Sequence, residues 1–94
     1  DALALEIAVD GVPLLVDSGT WTYPGAERNA FRGGAAHNAV TVDGASSSEP
    51  GATPFVWASI ARCAAERWTS LAAVDCFEGA HDGFARLDPG LRHR

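Results

Sequence analysis

Lysine is missing from the chain altogether, and the formal net charge is −5. A nucleic-acid surface needs a stripe of Lys and Arg, so this balance excludes one. An acidic ligand would have to be held by a local cluster, and Arg28 and Arg32, four apart in one loop, are the candidates; the alternative is two solvated surface arginines. No apolar run approaches the roughly 18 residues of a membrane span, and no charged-then-apolar signal segment opens the chain. Cys63 and Cys76 are the only cysteines and have no C-x-x-C spacing, which excludes a zinc knuckle or a redox motif. Both fall in expected strands, as buried apolar fillers or as a cross-strand disulfide. There is no N-x-S/T acceptor, no internal repeat and no G-x-S-x-G elbow around any serine, so a nucleophilic hydrolase built on Ser18, His37 and Asp43 is set aside.

What is present suits one small globular domain spanning residues 1–94. The hydrophobic fraction is 47% and the charged fraction 20%. A chain of this size buries only about 60–65% of its unfolded surface, so its stability alone is expected to be marginal. The opening "DALALEIAVDG" is already an alternating strand, which suggests a piece of a larger protein.

Leu3, Leu5, Ile7 and Val9 alternate with Ala2, Ala4, Glu6 and Ala8, the period of a half-buried strand. Asp10-Gly11 is a hairpin turn signal, and "VPLLVD" returns as the second strand. Residues 18–36 form a long glycine- and proline-bearing loop, with a short helical turn expected near Glu27 to Phe31; long loops in compact domains are usually functional. His37 to Val42 reads as a third strand ended by Asp43-Gly44. "ASSSEPGATP" reads as a polar connector that buries nothing. "FVWASIARCAAERW" reads as a strand despite its helix-favouring alanines, because Phe55 to Ile60 is aromatic and β-branched. "SLAAVDCFEG" and "GFARLDPGLRHR" complete six strands, and the expected class is all-β, an antiparallel β-sandwich portion.

Four stretches, "VDSGTWTY", "FRGGAAHN", "TVDG" and "HDGF", stand in an order and spacing that resembles the C-terminal β-domain of the heparinase II/III-like polysaccharide lyases, a group that includes alginate and oligoalginate lyases. The likeness covers most of the chain. It implies a parent in which an α/α-toroid domain, N-terminal to this segment, joins β-sandwich material, and which cleaves uronic-acid polysaccharides by β-elimination. It implies proton-transfer residues outside these 94, so no catalytic residue is assigned here and the fragment alone is expected to be inactive. It implies zinc held by Asp17 and His37, with a third ligand, a histidine, outside the fragment. Tyr23 and Arg32 are the candidate substrate contacts, set against loop packing for Tyr23 and bracing for Arg32. For Asp17 the plain alternative is a turn carboxylate bonding nearby N–H groups, and for His37 a strand-end histidine satisfied by backbone. His81 and His93 are expected to be structural. A periplasmic or secreted location follows from the resemblance.

The rival reading is a non-catalytic β-sandwich that binds glycan or braces a neighbouring domain, using Trp21, Trp57 and Trp68 as stacking platforms. Alternation favours core packing for Trp57. A buried Trp57 together with convergence of Asp17 and His37 would favour the lyase reading, and exposed, coplanar tryptophans without zinc the rival.

Overall fold

The structure is a computed structural model that describes residues 1–20, 22–25 and 27–94. Three antiparallel hairpins carry it: β1 (Ile7–Val9) with β2 (Val12–Leu15), β3 (Glu49–Pro50) with β4 (Trp57–Ser59), and β5 (Cys63–Ser70) with β6 (Asp75–His81). Between the first two hairpins lie one helical turn, α1 (Arg28–Arg32), and a short 3₁₀ turn, Gly34–Ala36. The antiparallel all-β class expected from the sequence is what the chain adopts. Trp21 lies outside the described residues.

The β1–β2 turn forms as its residues require. Asp10 and Gly11 both have positive φ (50° and 79°), the type I′ geometry that matches strand twist. Asp43 and Gly44 repeat it (50° and 74°), closed by the Val42–Ala45 bridge. The first strand is shorter than its alternation predicts, because residues 1–5 turn: Leu3 has φ 57°, and Ala4 N–H donates to Asp1 O. Leu5 N–H then donates to Asn38 O, 3.1 Å away.

Other expectations give way to local hydrogen bonding. Residues 37–42 do not form a strand; among the described residues only the Val42–Ala45 bridge engages them in a ladder. The expected strand from Phe55 onward divides at 60–62, where side-chain oxygens capture the amides. Ser48 Oγ accepts from Ala61 N–H at 2.9 Å and Asp82 Oδ1 from Arg62 N–H at 2.7 Å. "GFARLDPGLRHR" is a series of turns that joins the β6 ladder through the bridge between His93 and His81. The connector expected to bury nothing supplies β3 and buries Ser47, whose carbonyl packs against Gly83. A Cβ on Gly83 would stand 2.3 Å from that oxygen, so only glycine fits. Arg86 fixes the same segment, donating to the carbonyls of Ser46, Ser47 and Gly83 and pairing with Glu49.

In β5–β6 the register slips by one residue at Glu66: Ala65 faces Gly79, but Arg67 faces Glu78 and Trp68 faces Phe77. This is a β-bulge, one residue opposing none. Cys63 and Cys76 are both free and exposed, neither fillers nor a disulfide. They pair across the ladder with His81 and Thr69 at opposite ends of the hairpin.

The buried centre is small: Ala80, His81 and Phe84, with Ser47 close by. Much of the apolar surface is open, including Leu14 and Val16 beside the first hairpin and Trp68 and Phe77 on the third. Exposed apolar faces and unpaired strand edges favour association. The 94 residues produced alone are therefore expected to self-associate, with a melting transition that moves with concentration. A sharp transition independent of concentration, from a strictly monomeric sample, would contradict this.

Candidate metal and anion site

Residues 16–18 and 36–38 run side by side, joined through side chains rather than by a ladder. Asn38 Nδ2 donates to Val16 O at 2.8 Å, and Ser18 Oγ donates to Ala36 O at 2.6 Å. Between these two bonds, His37 Nδ1 lies 2.6 Å from Asp17 Oδ2. The sequence-predicted pair is thus in direct contact. His37 is held by the 3₁₀ turn before it, not by the start of a strand, and takes an extended backbone (φ −122°, ψ 165°) as the turn ends.

The protonation of this ring follows from its partners. His37 Nε2 lies 2.8 Å from Phe31 O, and a carbonyl only accepts, so Nε2 carries a hydrogen. In the neutral ring Nδ1 then presents a lone pair to a carboxylate oxygen. Two acceptors at 2.6 Å require a proton between them; a metal ion about 2 Å from each would displace that proton and part the two atoms by some tenths of an ångström. An imidazole whose far N–H is fixed by a backbone carbonyl is also how metal-ligating histidines are oriented. A carboxylate oxygen and a neutral imidazole nitrogen are both suitable zinc donors, so the residues present fit such an ion.

Asp1 was not singled out by the sequence; no motif marks it, and only the fold brings it near. Asp1, Asp17 and His37 each offer a donor atom within 4.8 Å of the others. Asp1 Oδ1 lies 3.6 Å from Nε2, the ring nitrogen already bonded to Phe31, whereas Asp17 meets Nδ1. The close donor pair is therefore Asp17 with His37.

Asp17 also does what a turn aspartate does: its Oδ1 accepts from Gly19 N–H at 2.7 Å. This bond, then the one from His37, holds the Asp17 carboxyl below the usual carboxylate range.

Next to the pair, a cavity of about 230 Å³ is lined by Asp1, Arg28, Arg32, His37, Phe55 and Trp57 among others. Arg28 and Arg32 are not solvated; they are 8% and 7% exposed. Arg28 donates through Nε and Nη2 to Pro54 O and through Nη1 to Thr22 O, and its guanidinium sits 4.9 Å from the centre of the Tyr23 ring and 5.3 Å from that of Phe55. Arg32 donates to Thr53 O, Val56 O and Asn29 Oδ1 and stacks 4.5 Å from the centre of the Trp57 ring. Both therefore brace the segment 53–57, with cation–π contact supplementing the hydrogen bonds. Among the described residues neither forms an ion pair with a carboxylate. Each guanidinium, with five N–H groups, keeps donors and a whole positive charge beyond those carbonyl bonds. Trp57 is 38% exposed rather than in the core, and Tyr23 is exposed with its ring against Phe55.

Fold and site together describe an all-β antiparallel domain in which a carboxylate–imidazole pair adjoins an arginine-lined cleft. The family model described as "Heparinase II/III-like, C-terminal" matches residues 1–94, and the chain belongs to that family. That membership implies a polysaccharide lyase in the parent chain. No curated protein and no solved structure matches the chain.

The lowered pKa of Asp17 makes this loop sensitive to acid. The loop anchorage it provides is complete above the unfolded value of about 3.9 and is lost as pH falls through the lower folded value. In His37→Ala the Asp17 midpoint, read by carboxyl-carbon NMR, should rise only part of the way to normal, because the Gly19 bond remains. A full return to about 3.9 would show that Gly19 contributes nothing.

Proposed function

We propose that residues 1–94 form the scaffold and metal-holding part of a polysaccharide lyase that cleaves uronic-acid-containing glycans, of the heparin, heparan sulfate or alginate type, by β-elimination. The observation that carries this reading is the placement of the Asp17–His37 pair beside two buried arginines that have no carboxylate partner among the described residues. β-Elimination needs the uronate carboxylate neutralised, the C5 proton removed by a base, and the leaving O4 protonated. Arg28 and Arg32 offer the charge for the first requirement. Arg32, whose planar fork suits a carboxylate, is the contact assigned from this chain, with the exposed Tyr23 ring at the same end. The base and acid are assigned to the N-terminal toroid domain of the parent chain, so the fragment by itself does not turn over substrate.

Asp17 and His37 would hold zinc, with a third ligand from outside these residues. The ion would supply a structural cross-link there, replacing the proton that otherwise sits between the two acceptors. Its effect on the chain's own residues is to keep 16–18 aligned with 36–38 and, through the Phe31 carbonyl, to fix the end of α1, which carries both arginines. Among the described residues no helix is long and apolar enough to cross a membrane. A periplasmic or secreted site of action suits an enzyme on extracellular polymers.

Two observations favour the rival reading of a glycan-binding module: Trp57 is exposed rather than buried, and Trp68 is 71% exposed with its ring 5.6 Å from that of Phe77. Loss of glycan binding in Trp68→Ala without loss of turnover would assign that pair to binding alone.

The test uses the full-length parent on heparan sulfate, alginate and other uronate polymers, reading the ultraviolet absorbance of the unsaturated product. Asp17→Ala and His37→Ala should each lower zinc content and reduce activity on the order of tenfold or more. The double variant should be little worse than either, since both remove one site. Arg32→Lys should raise KM more than it lowers kcat. Full activity with normal zinc content in both alanine variants would remove the metal role. Absence of an absorbing product on every uronate polymer would overturn the lyase reading.

A further inference from the structure

His81 is, with Phe84, one of the two largest fully buried side chains, at 2% exposure. Its Nδ1 accepts from Gly83 N–H at 3.2 Å, so the neutral ring carries its hydrogen on Nε2. That nitrogen lies 2.8 Å from His93 Nδ1 and donates to it. The same two residues exchange backbone bonds, His81 N–H to His93 O at 3.0 Å and His93 N–H to His81 O at 3.3 Å. The Phe84 ring packs 5.2 Å from His81 and 6.4 Å from His93. Leu91 and His93, with Val40 and Val42, line the apolar cavity against Phe84.

A proton added to His81 has one place to go, Nδ1, where Gly83 N–H already points. Two N–H groups would then face each other, and a charge would lie against Phe84. We propose that the His81–His93 pair is an acid-sensitive latch: protonation of His81 releases residues 91–94 from the end of β6 and uncovers Phe84.

The surrounding charges set the direction. Burial is the main influence against the charged ring and His93 acts the same way, while Asp82 opposes them. Arg62 and Arg92 line the cavity beside His81. Glu66 is paired with Arg92 and Arg94, and Glu78 with Arg67 and Arg94. The His81 pKa is held below its ordinary value, so the folded latch binds fewer protons than the open one. Its stability is complete above about pH 6.5 and falls as pH drops towards the folded value.

Hydrogen exchange on the full-length protein between pH 8 and pH 5, corrected for intrinsic rates, tests this. The opening constant at the His93 amide should rise as pH falls below about 6.5, by at most about tenfold per pH unit, and level off below the folded value. Amides in the middle of β5 should keep their protection. Imidazole ¹⁵N shifts should show the Nε2–H form of His81 at pH 8. In His81→Gln, whose amide can accept from Gly83 and donate to His93, the opening constant should lose its pH dependence. If that variant does not fold, the wild-type measurements decide alone. Equal protection at pH 8 and pH 5, a His81 midpoint at or above the ordinary value, or simultaneous loss of protection throughout β5 and β6 would each overturn the latch.

Discussion

Two hydrogen-bond acceptors cannot sit 2.6 Å apart without a proton between them, and the arrangement around Asp17 and His37 depends on that constraint. The Phe31 carbonyl takes the hydrogen on Nε2, so Nδ1 has none to spare in the neutral ring. Whatever cation fills the gap joins two segments twenty residues apart in sequence. The flanking bonds, Asn38 to Val16 and Ser18 to Ala36, use side chains because no ladder passes there. The connection resists shear in both directions along the chain, which a single contact would not do.

The arginines extend that order to the other wall of the cleft. α1 is a single turn with no side-chain N-cap, too short to persist on propensity. Its two arginines instead reach the carbonyls of Pro54, Thr53 and Val56 and stack on Tyr23, Phe55 and Trp57. Bracing and anion recognition are compatible uses of one guanidinium, since planar forks carry more donors than the loop consumes. The bracing fixes where the remaining charge is presented.

Local signals in the sequence were readable where a residue type has few alternatives. Asp10-Gly11 and Asp43-Gly44 form the turns their pairing predicts, and the β1–β2 hairpin follows. Asp17 and His37 stand out only through the family resemblance of "VDSGT" and "AAHN", since spacing alone reads them as a turn aspartate and a strand-end histidine. The fold brings the two into contact, and the helical turn near Phe31 forms as its loop predicts. What was not readable depended on capture of backbone groups from a distance. Nothing in "FVWASIARC" announces that Ser48 and Asp82 will take the amides of Ala61 and Arg62 and end a strand there. Nothing in "ASSSEPGATP" announces that Gly83 and Arg86 will bury its backbone. Asp1 reaches His37 only because residues 1–5 turn. The cysteines misled because alternation predicts a strand without saying which of its faces is covered.

The bulge at Glu66 acts as a frame shift written into a folded object. Up to Ala65 the hairpin counts in one phase; from Arg67 it counts in another. The extra position is where Glu66, excused from pairing, gathers Arg92 and Arg94, while the new phase sets Arg67 against Glu78 and Trp68 against Phe77. Removing Glu66 would therefore do more than delete a carboxylate. Without that position Ala65 and Arg67 would be neighbours opposite Gly79 and Glu78, every pair out to the tip would keep its partner, and the ladder would run on without the local bend.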